Sequence, residues 1–115
     1  MDFKREIFAY KHYFLRFYNE QSEGVQRKIE WALKLISITQ RVPEKYFKHL
    51  TAVEGIYEIR VEFEGNIYRI FAFFDRGNVV VLGNGLVKKS QKLSTTDIDK
   101  ALKIRKEYFD EKAAE

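Results

Sequence analysis

One stretch of alternating residues, from position 57 to position 64, constrains the fold of this chain more than any other feature. Apolar and charged side chains alternate there with a period of two, which predicts a β-strand with one buried face. The apolar members are Tyr57, Ile59, Val61 and Phe63, and the charged members are Glu58, Arg60, Glu62 and Glu64. A chain with this strand must form a sheet and cover one face of it.

A tight turn follows the strand at Gly65-Asn66, where the glycine tolerates the positive φ that the first turn position requires. A two-residue loop at this point pairs Glu62 with Arg69 across the hairpin. Arg60 and Arg69 then lie on the same face as diagonal neighbours, roughly 7 Å apart. The predicted hairpin therefore brings two arginines together.

A second turn at residues 75–78 leads into a third strand, which gives a three-stranded meander. We expect this turn to pair Phe74 with Val79 and, further along, Arg69 with Asn84. Continuing the strand places Lys88 on the face that carries the arginines. Two glycines inside this strand also favour a bulge, which shifts the parity of the strand by one residue.

The two faces of the meander differ in the side chains that they carry. The first face is predicted to hold Tyr57, Ile59, Val61, Phe63, Tyr68, Ile70, Ala72, Phe74, Val79 and Val81. The second is predicted to hold Phe71, Phe73, Val80 and Leu82 at one end and Arg60, Arg69, Asn84 and Lys88 at the other. Because helices must cover the apolar face, the basic end of the second face is the candidate site.

Helical patterns flank the meander on both sides. Residues 3–10 favour an edge strand and residues 11–21 a short helix, and Ser22 is placed to cap a second helix. The apolar stripe of this second helix consists of Val25, Ile29, Ala32, Leu33 and Ile36. We expect one helical turn at 44–50, just before the meander, and we expect Trp31 to pack rather than to stack on a base.

After the meander, Ser94 and Asp97 match a capping box that begins a C-terminal helix. Its apolar side consists of Ile98, Ala101, Leu102, Tyr108 and Phe109, joined by Arg105. Residues 111–115 are expected to fray. The sequence thus predicts an α+β fold in one domain, 1–115, with an antiparallel sheet made of the N-terminal edge strand and the meander, helices on one face, and a shallow basic groove on the other.

Composition narrows the functional class. The net charge of +4 permits binding to nucleic acid, and 45% hydrophobic residues support a packed core. With no cysteine and two histidines, the chain offers no convincing zinc site, and we expect no metal and no cofactor. No apolar run approaches the ~20 residues of a membrane span, so we expect a cytoplasmic protein without a membrane partner.

In the order of its predicted elements and in the amino-acid sequence of its central stretch, the chain resembles the RelE/HigB superfamily of bacterial type II toxins, and within it the phage-derived branch. This resemblance extends over almost the whole chain, and its motifs gain specificity from their order and spacing. The residues that carry it are Leu50, Gly55-Ile56-Tyr57-Glu58-Ile59-Arg60, Tyr68-Arg69-Ile70-Phe71, Phe74-Asp75 and Gly85-Leu86-Val87-Lys88-Lys89-Ser90-Gln91-Lys92. The resemblance implies a RelE-like fold.

The resemblance also implies an activity, that of a metal-independent mRNA endoribonuclease which usually acts on the ribosome and is neutralised by a small antitoxin. By position it implies four catalytic residues, Arg60, Arg69, Lys88 and Lys89, accompanied by the RNA-binding residues Asn84, Gln91 and Lys92. The chain departs from the family pattern in three places. Ser94 and Thr95 stand where well-known members have a tyrosine, Thr95 replaces a proline, and Leu86 replaces a phenylalanine.

Cleavage by attack of a 2′-OH on the adjacent phosphate requires a base, an acid and positive charge near the phosphorane. The two arginines suit the third role, because guanidinium groups bind phosphate oxygens in pairs. We hypothesise that Lys88 or Lys89 is the base or the acid, because a cluster of cations favours the neutral form of a lysine.

Other interpretations of the same residues remain open. Arg60 pairs with Glu58 or Glu62 along a solvated strand, and the lysines form an ordinary charged surface. At the level of function, the alternatives are a non-catalytic module that binds RNA, ribosome or antitoxin, and an adaptor that binds only protein.

Overall fold

A computed structural model describes residues 3–88 and 92–115 of the chain. It has an α+β architecture in which a five-stranded sheet carries helices on both faces. In chain order the elements are β1 (Glu6–Ala9), α1 (Tyr13–Asn19), α2 (Glu23–Ile38), β2 (Phe47–His49), β3 (Tyr57–Phe63), β4 (Asn66–Asp75), β5 (Val79–Lys88) and α3 (Thr95–Ala113). The edge strand, the meander and the three helices predicted from the sequence are therefore confirmed.

The sheet is mixed, so the prediction of an antiparallel sheet was wrong in one pairing. The strand order is β1-β5-β4-β3-β2, and β1 runs parallel to β5, with Glu6 opposite Val79 and Ala9 opposite Leu82. The chain enters along one edge of the sheet and crosses its face through α1 and α2 to the other edge. A strand of four residues carries no sequence signal for its direction relative to a partner 73 residues away.

The helical turn that we expected at 44–50 forms only at the start of this segment, where the amides of Tyr46 and Phe47 donate to the Pro43 carbonyl oxygen at 2.9 and 3.2 Å, and the rest is a strand. Residues Phe47–His49 pair antiparallel with β3 and form the second edge of the sheet. Phe47 stacks on Tyr57 with ring centroids 5.0 Å apart, a cross-strand aromatic contact on the side of the sheet that faces α2. Tertiary pairing with β3 therefore overrides the weak local pattern of this segment.

The first hairpin turns one residue earlier than predicted. Its central residues are Glu64 and Gly65, with φ of 48° and 82°, so that Phe63 lies opposite Asn66. This turn puts glycine in the second central position, where the two-residue turn with positive φ at both positions favours it. Arg60 consequently lies directly opposite Arg69, on the same face as expected but closer than a diagonal neighbour.

The second hairpin has a three-residue loop, so Asp75 pairs with Val79, and the predicted pairing of Phe74 with Val79 was wrong. Gly77 has a φ of 55°, as three-residue hairpin loops require at one position. This odd loop length moves Val80 and Leu82 to the face with Tyr68 and Ile70, and Val79 and Val81 to the opposite face.

A bulge in β5 then reverses the parity again. The register shifts between Ile70 and Ala72, so that Arg69 lies opposite Leu86 and not opposite Asn84 as predicted. The two offsets cancel beyond the bulge, and Lys88 lies on the face of Arg69 as expected. The bulge therefore decides which basic residues share a face.

Two separate cores lie on the two faces of the sheet, which corrects the expectation that all helices cover one face. The first core packs α1 and α2 on the sheet and consists of Phe14, Phe17, Val25, Ile29, Ala32, Ile36, Ile59, Val61, Tyr68, Ile70, Ala72, Val80 and Leu82. The second packs α3 on the other face and consists of Tyr10, Leu50, Ile56, Phe71, Phe73, Val81, Ala101 and Ile104. Helix α3 thus covers part of the face expected to form an open groove.

Side chains cap both long helices at their N-termini as predicted. Ser22 Oγ accepts a hydrogen bond from the Val25 amide, and Ser94 and Asp97 form a reciprocal capping box. Helix α3 extends to Ala113, so the expected fraying from residue 111 was wrong. Within residues 3–88 and 92–115, no helix is both long and apolar enough to cross a membrane.

Candidate functional site

A buried ion pair between β3 and β4 lies at the centre of the candidate site. Arg69 Nη1 donates to Glu58 Oε2 at 2.5 Å, and Arg69 is only 2% exposed. Glu58 is also buried, and charges are retained at such depth only when they are paired. Arg69 therefore holds the two strands together from inside the protein and reaches a ligand only if its surroundings move.

Arg60 extends this pair towards the protein surface. Its Nε lies 3.7 Å from Glu58 Oε1, and its Nη2 lies 3.5 Å from Glu62 Oε1. Two like charges directly opposite each other destabilise a sheet, and the Glu58 carboxylate between Arg60 and Arg69 offsets that repulsion. Arg60 thus makes the strand-face ion pairs that the sequence left as an alternative.

Lys88 at the end of β5 is joined to the first turn of α3. Its Nζ donates to Asp97 Oδ2 at 2.6 Å. The same oxygen accepts bonds from the Ser94 amide at 3.1 Å and from Ser94 Oγ at 2.8 Å. The bond from Lys88 is the largest of the interactions that lower the pKa of Asp97, so this carboxyl is charged at neutral pH.

The Lys88–Asp97 pair differs from the purely cationic cluster that the sequence suggested. A carboxylate partner favours the charged form of a lysine, whereas a base must be neutral. Lys88 is nevertheless about one third exposed, and an ion pair at this depth can exchange its carboxylate for a phosphate. The contact therefore suits phosphate binding more directly than proton abstraction.

The remaining predicted residues are not all in one place. Lys92 lies with Lys88, Leu93 and Ser94 around a hollow of about 330 Å³ beside the N-terminus of α3. Asn84 is 5% exposed and lines a different hollow, together with residues of α1 and with Lys100. Lys89 and Gln91, the other two predicted site residues, lie outside the described residues.

Four predicted site residues, Arg60, Arg69, Lys88 and Lys92, therefore lie on or beside one face of the sheet. The two carboxylates among them, Glu58 and Asp97, were not predicted as parts of the site. Glu58 has the same strand parity as Arg60, and the capping box places Asp97 near the end of the meander, so both signals were available in the sequence. In the described part of the chain, no group of three or more His, Asp or Glu side chains is placed to hold a metal ion.

Comparison with known proteins gives one family. Residues 16–106 match the family model described as "Phage derived protein Gp49-like (DUF891)", which covers α2, the whole meander and most of α3. No curated protein sequence matches the chain significantly. The matched region contains every residue of the site described above.

Proposed function

This chain belongs to the phage-derived Gp49-like family, which is associated with RelE-like toxins, and from that premise we propose that it is an mRNA endoribonuclease toxin. It acts within a type II toxin–antitoxin module and inhibits translation. The observation that carries the proposal is the position of Arg60, Arg69 and Lys88 on one face of the sheet, with Lys88 also joined to the first turn of α3. Positive side chains supply the charge stabilisation that RNA cleavage without a metal needs at the phosphate.

In the proposed reaction, the 2′-oxygen of a nucleotide attacks the adjacent phosphorus and the bond to the 5′-oxygen breaks. The products are a 2′,3′-cyclic phosphate and a 5′-hydroxyl. Arg60 and Lys88 bind the phosphate and stabilise the charge that develops on it, because both reach the surface. Arg69, held by Glu58, fixes the position of Arg60 and the strand. The 2′-hydroxyl gives up its proton and the departing 5′-oxygen gains one, and Lys88 or Lys89 carries out one of these two transfers.

The proposed partners follow from this reaction. The substrate is mRNA, presented on the ribosome, and a cognate antitoxin protein neutralises the site. Lys92 lines a hollow together with Lys88, and we assign RNA binding to Lys92 and, from its position in the sequence, to Gln91. Asn84 is more than 90% buried in a hollow on the α1 side of the sheet. Its predicted contact with RNA therefore requires the RNA chain to pass over the edge of β5.

Inducible expression in bacteria tests the proposal. We expect the wild type to arrest growth and to create new mRNA 5′ ends in phase with codons, and we expect Lys88→Met to abolish both effects. Lys103→Met is the matched control, because it removes the same charge from an exposed position of α3. Folded wild-type protein that produces neither arrest nor new 5′ ends would refute the nuclease assignment.

One observation favours a second function, that of a non-catalytic module of the same fold that binds RNA, ribosome or antitoxin. Arg69, which the resemblance makes catalytic, is 2% exposed and paired with Glu58. In this alternative, RNA or ribosomes bind without cleavage, and affinity falls steeply between low and moderate salt. A binding assay run beside the expression test separates the two functions.

A further inference from the structure

A second cationic hollow lies at the β2 edge of the sheet, apart from Lys88 and α3. Its volume is about 150 Å³, and its lining consists of Lys28 from α2, Lys45 and Tyr46 before β2, and Arg60 and Glu62 from β3. Three cationic side chains thus face a single carboxylate. Such an excess of positive charge in a small depression attracts an anion.

Contacts in this hollow leave the lysine charges largely uncompensated. Lys28 Nζ donates to the backbone carbonyl oxygen of Glu62 at 2.5 Å, which positions the ammonium group without neutralising its charge. Lys45 Nζ lies 4.9 Å from the centre of the Tyr46 ring. Both ammonium groups therefore contact neutral groups, an arrangement that leaves their charge available to a phosphate.

An exposed tryptophan stands beside the hollow. Trp31 follows Lys28 by three residues on α2, so both side chains lie on the same face of the helix. Its indole contacts the Tyr46 ring edge-on, with centroids 5.1 Å apart and an interplanar angle of 79°, yet Trp31 remains 48% exposed. Trp31 therefore packs against Tyr46, as the sequence predicted, and also leaves about half of its surface exposed.

We infer that this surface is a binding site for single-stranded RNA, with a phosphate held by Lys28, Lys45 and Arg60 and a base stacked on Trp31. Phosphate-binding cations beside an aromatic platform are the usual means of holding a single strand without sequence preference. Arg60 belongs both to this hollow and to the candidate site, because it lies opposite Arg69 and contacts Glu58. The inference rests on the proposed function and extends its RNA path to the β2 edge.

The intrinsic fluorescence of Trp31 tests the inference directly, because Trp31 is the only tryptophan in the chain. The probe is an unlabelled oligouridylate of about 12 nucleotides, long enough to cover both sites. We expect titration with this RNA to quench Trp31 emission, and we expect the double variant Lys28→Met, Lys45→Met to lose most of the quenching. Fluorescence anisotropy of a labelled oligouridylate measures total binding in parallel.

Salt dependence adds a quantitative readout. Each phosphate contact with a single strand contributes about 0.7 to the slope of log K against log salt, so loss of the one phosphate held in the hollow should lower the slope by about 0.7 in the double variant. The matched control is Lys103→Met, Lys106→Met, which removes the same net charge from exposed positions of α3. This control should leave the quenching of Trp31 emission unchanged. It should also keep the part of the salt slope that comes from the phosphate bound in the hollow.

Other results would overturn the inference in distinguishable ways. If RNA binds both double variants equally and does not change Trp31 emission, the RNA lies elsewhere on the protein. Trp31 would then be assigned to contact with a protein partner. RNA that does not bind the wild type even at low salt would also refute the site. In either case, the appearance or absence of new mRNA 5′ ends on expression decides the proposed nuclease function separately.

Discussion

The two ends of α3 are attached to the sheet in different ways. In its C-terminal half, tyrosine hydroxyls and carboxylates join the helix to its neighbours at 2.6 Å. These bonds run from Tyr10 to Glu111, from Tyr13 to Glu107 and from Tyr108 to Asp75. Lys11 adds ion pairs to Glu107 at 2.9 Å and to Glu111 at 3.2 Å, and Lys112 pairs with Asp75.

At the N-terminal end of α3, the capping box is internal to the first turn, and the ion pair from Lys88 to Asp97 joins that turn to β5. The buried pair of Arg69 and Glu58 lies on the same face of the sheet as α3. In the C-terminal half of α3, charged side chains therefore fix the helix to its neighbours. At the N-terminal end, the Lys88 ammonium group is within reach of a ligand.

The largest expected effect comes from removing one partner of the buried pair of Arg69 and Glu58. After Arg69→Met, the buried Glu58 carboxylate loses its shortest ion pair and keeps the 3.7 Å contact with Arg60 Nε, so we expect the free energy of unfolding to fall by about 3 kcal/mol, the lower end of the range for a broken buried pair. Urea denaturation measures this change. If the two ends of α3 differ as described, no substitution in its C-terminal half should lower the free energy of unfolding as much.

The control for this variant removes both charges at once. Replacing Glu58 by Gln in the Arg69→Met background takes away the buried charge that has lost its main partner, and most of the lost stability should return. A double variant as unstable as the single one would mean that Arg69 acts through packing rather than through its pairing with Glu58.

A smaller effect is expected at the C-terminal half. Tyr108→Phe removes the hydroxyl that donates to Asp75 and keeps the ring packed on Phe73, so we expect a loss of about 1–2 kcal/mol. Urea denaturation gives the loss, and RNA cleavage should be unchanged at temperatures where the variant is folded. Reduced cleavage by folded Tyr108→Phe protein would show that the C-terminal half of α3 contributes to activity as well as to stability.

Acid should weaken the same C-terminal docking. The bond from Lys112, followed by that from Tyr108, lowers the pKa of Asp75 from 3.8 to about 2 in the folded protein. Because the folded pKa lies below the unfolded value, this stabilisation is complete above the unfolded pKa and is lost as the pH falls towards 2.

The variant Asp75→Asn tests this pH dependence. It cannot gain or lose that stabilisation, so the difference between its thermal midpoint and that of the wild type should shrink between about pH 5 and pH 2. A difference that stays constant over this range would show that Asp75 is not the titrating group.

The smallest stability change is expected for the ion pair at the N-terminal end. Asp97→Asn removes the charge but keeps an acceptor for Ser94, so the free energy of unfolding should fall by about 1 kcal/mol or less. Thermal denaturation measures it, and Ser94→Ala, which removes the cap itself, should cost about 1 kcal/mol. A loss several times larger for Asp97→Asn would mean that the pair is structural and not exchangeable.

Local sequence signals predicted most of the fold. The alternation in β3, the apolar stripe of α2 and both caps lie within single elements, and the structure confirms them. The parallel pairing of β1 and the short strand β2 depend on contacts with distant segments, which local pattern does not encode. Loop length in the second hairpin and the bulge in β5 were likewise decided by packing across strands.

That Arg60, Arg69 and Lys88 share a face was predicted, whereas Glu58 and Asp97 were not placed in the site although the sequence carried signals for both. The shared strand parity of Arg60 and Arg69 follows from the alternation, and Lys88 fell on the same face because two register offsets cancelled. That Arg69 is buried could not be foreseen, because the expected fold left its face open, whereas α3 covers part of it. The pairing of Lys88 with Asp97 depends on where α3 begins in space.

The most direct test of the central claim compares two variants that break the same ion pair from opposite sides. Purified wild type, Lys88→Met and Asp97→Asn would each be incubated with mRNA-programmed ribosomes, and the initial rate of cleavage would be measured. If Lys88 is the exchangeable cation of a nuclease site, Lys88→Met should lose cleavage, whereas Asp97→Asn should keep or increase it. Equal loss in both variants would show that the pair serves only to hold α3, and unchanged cleavage in Lys88→Met would contradict the assigned site.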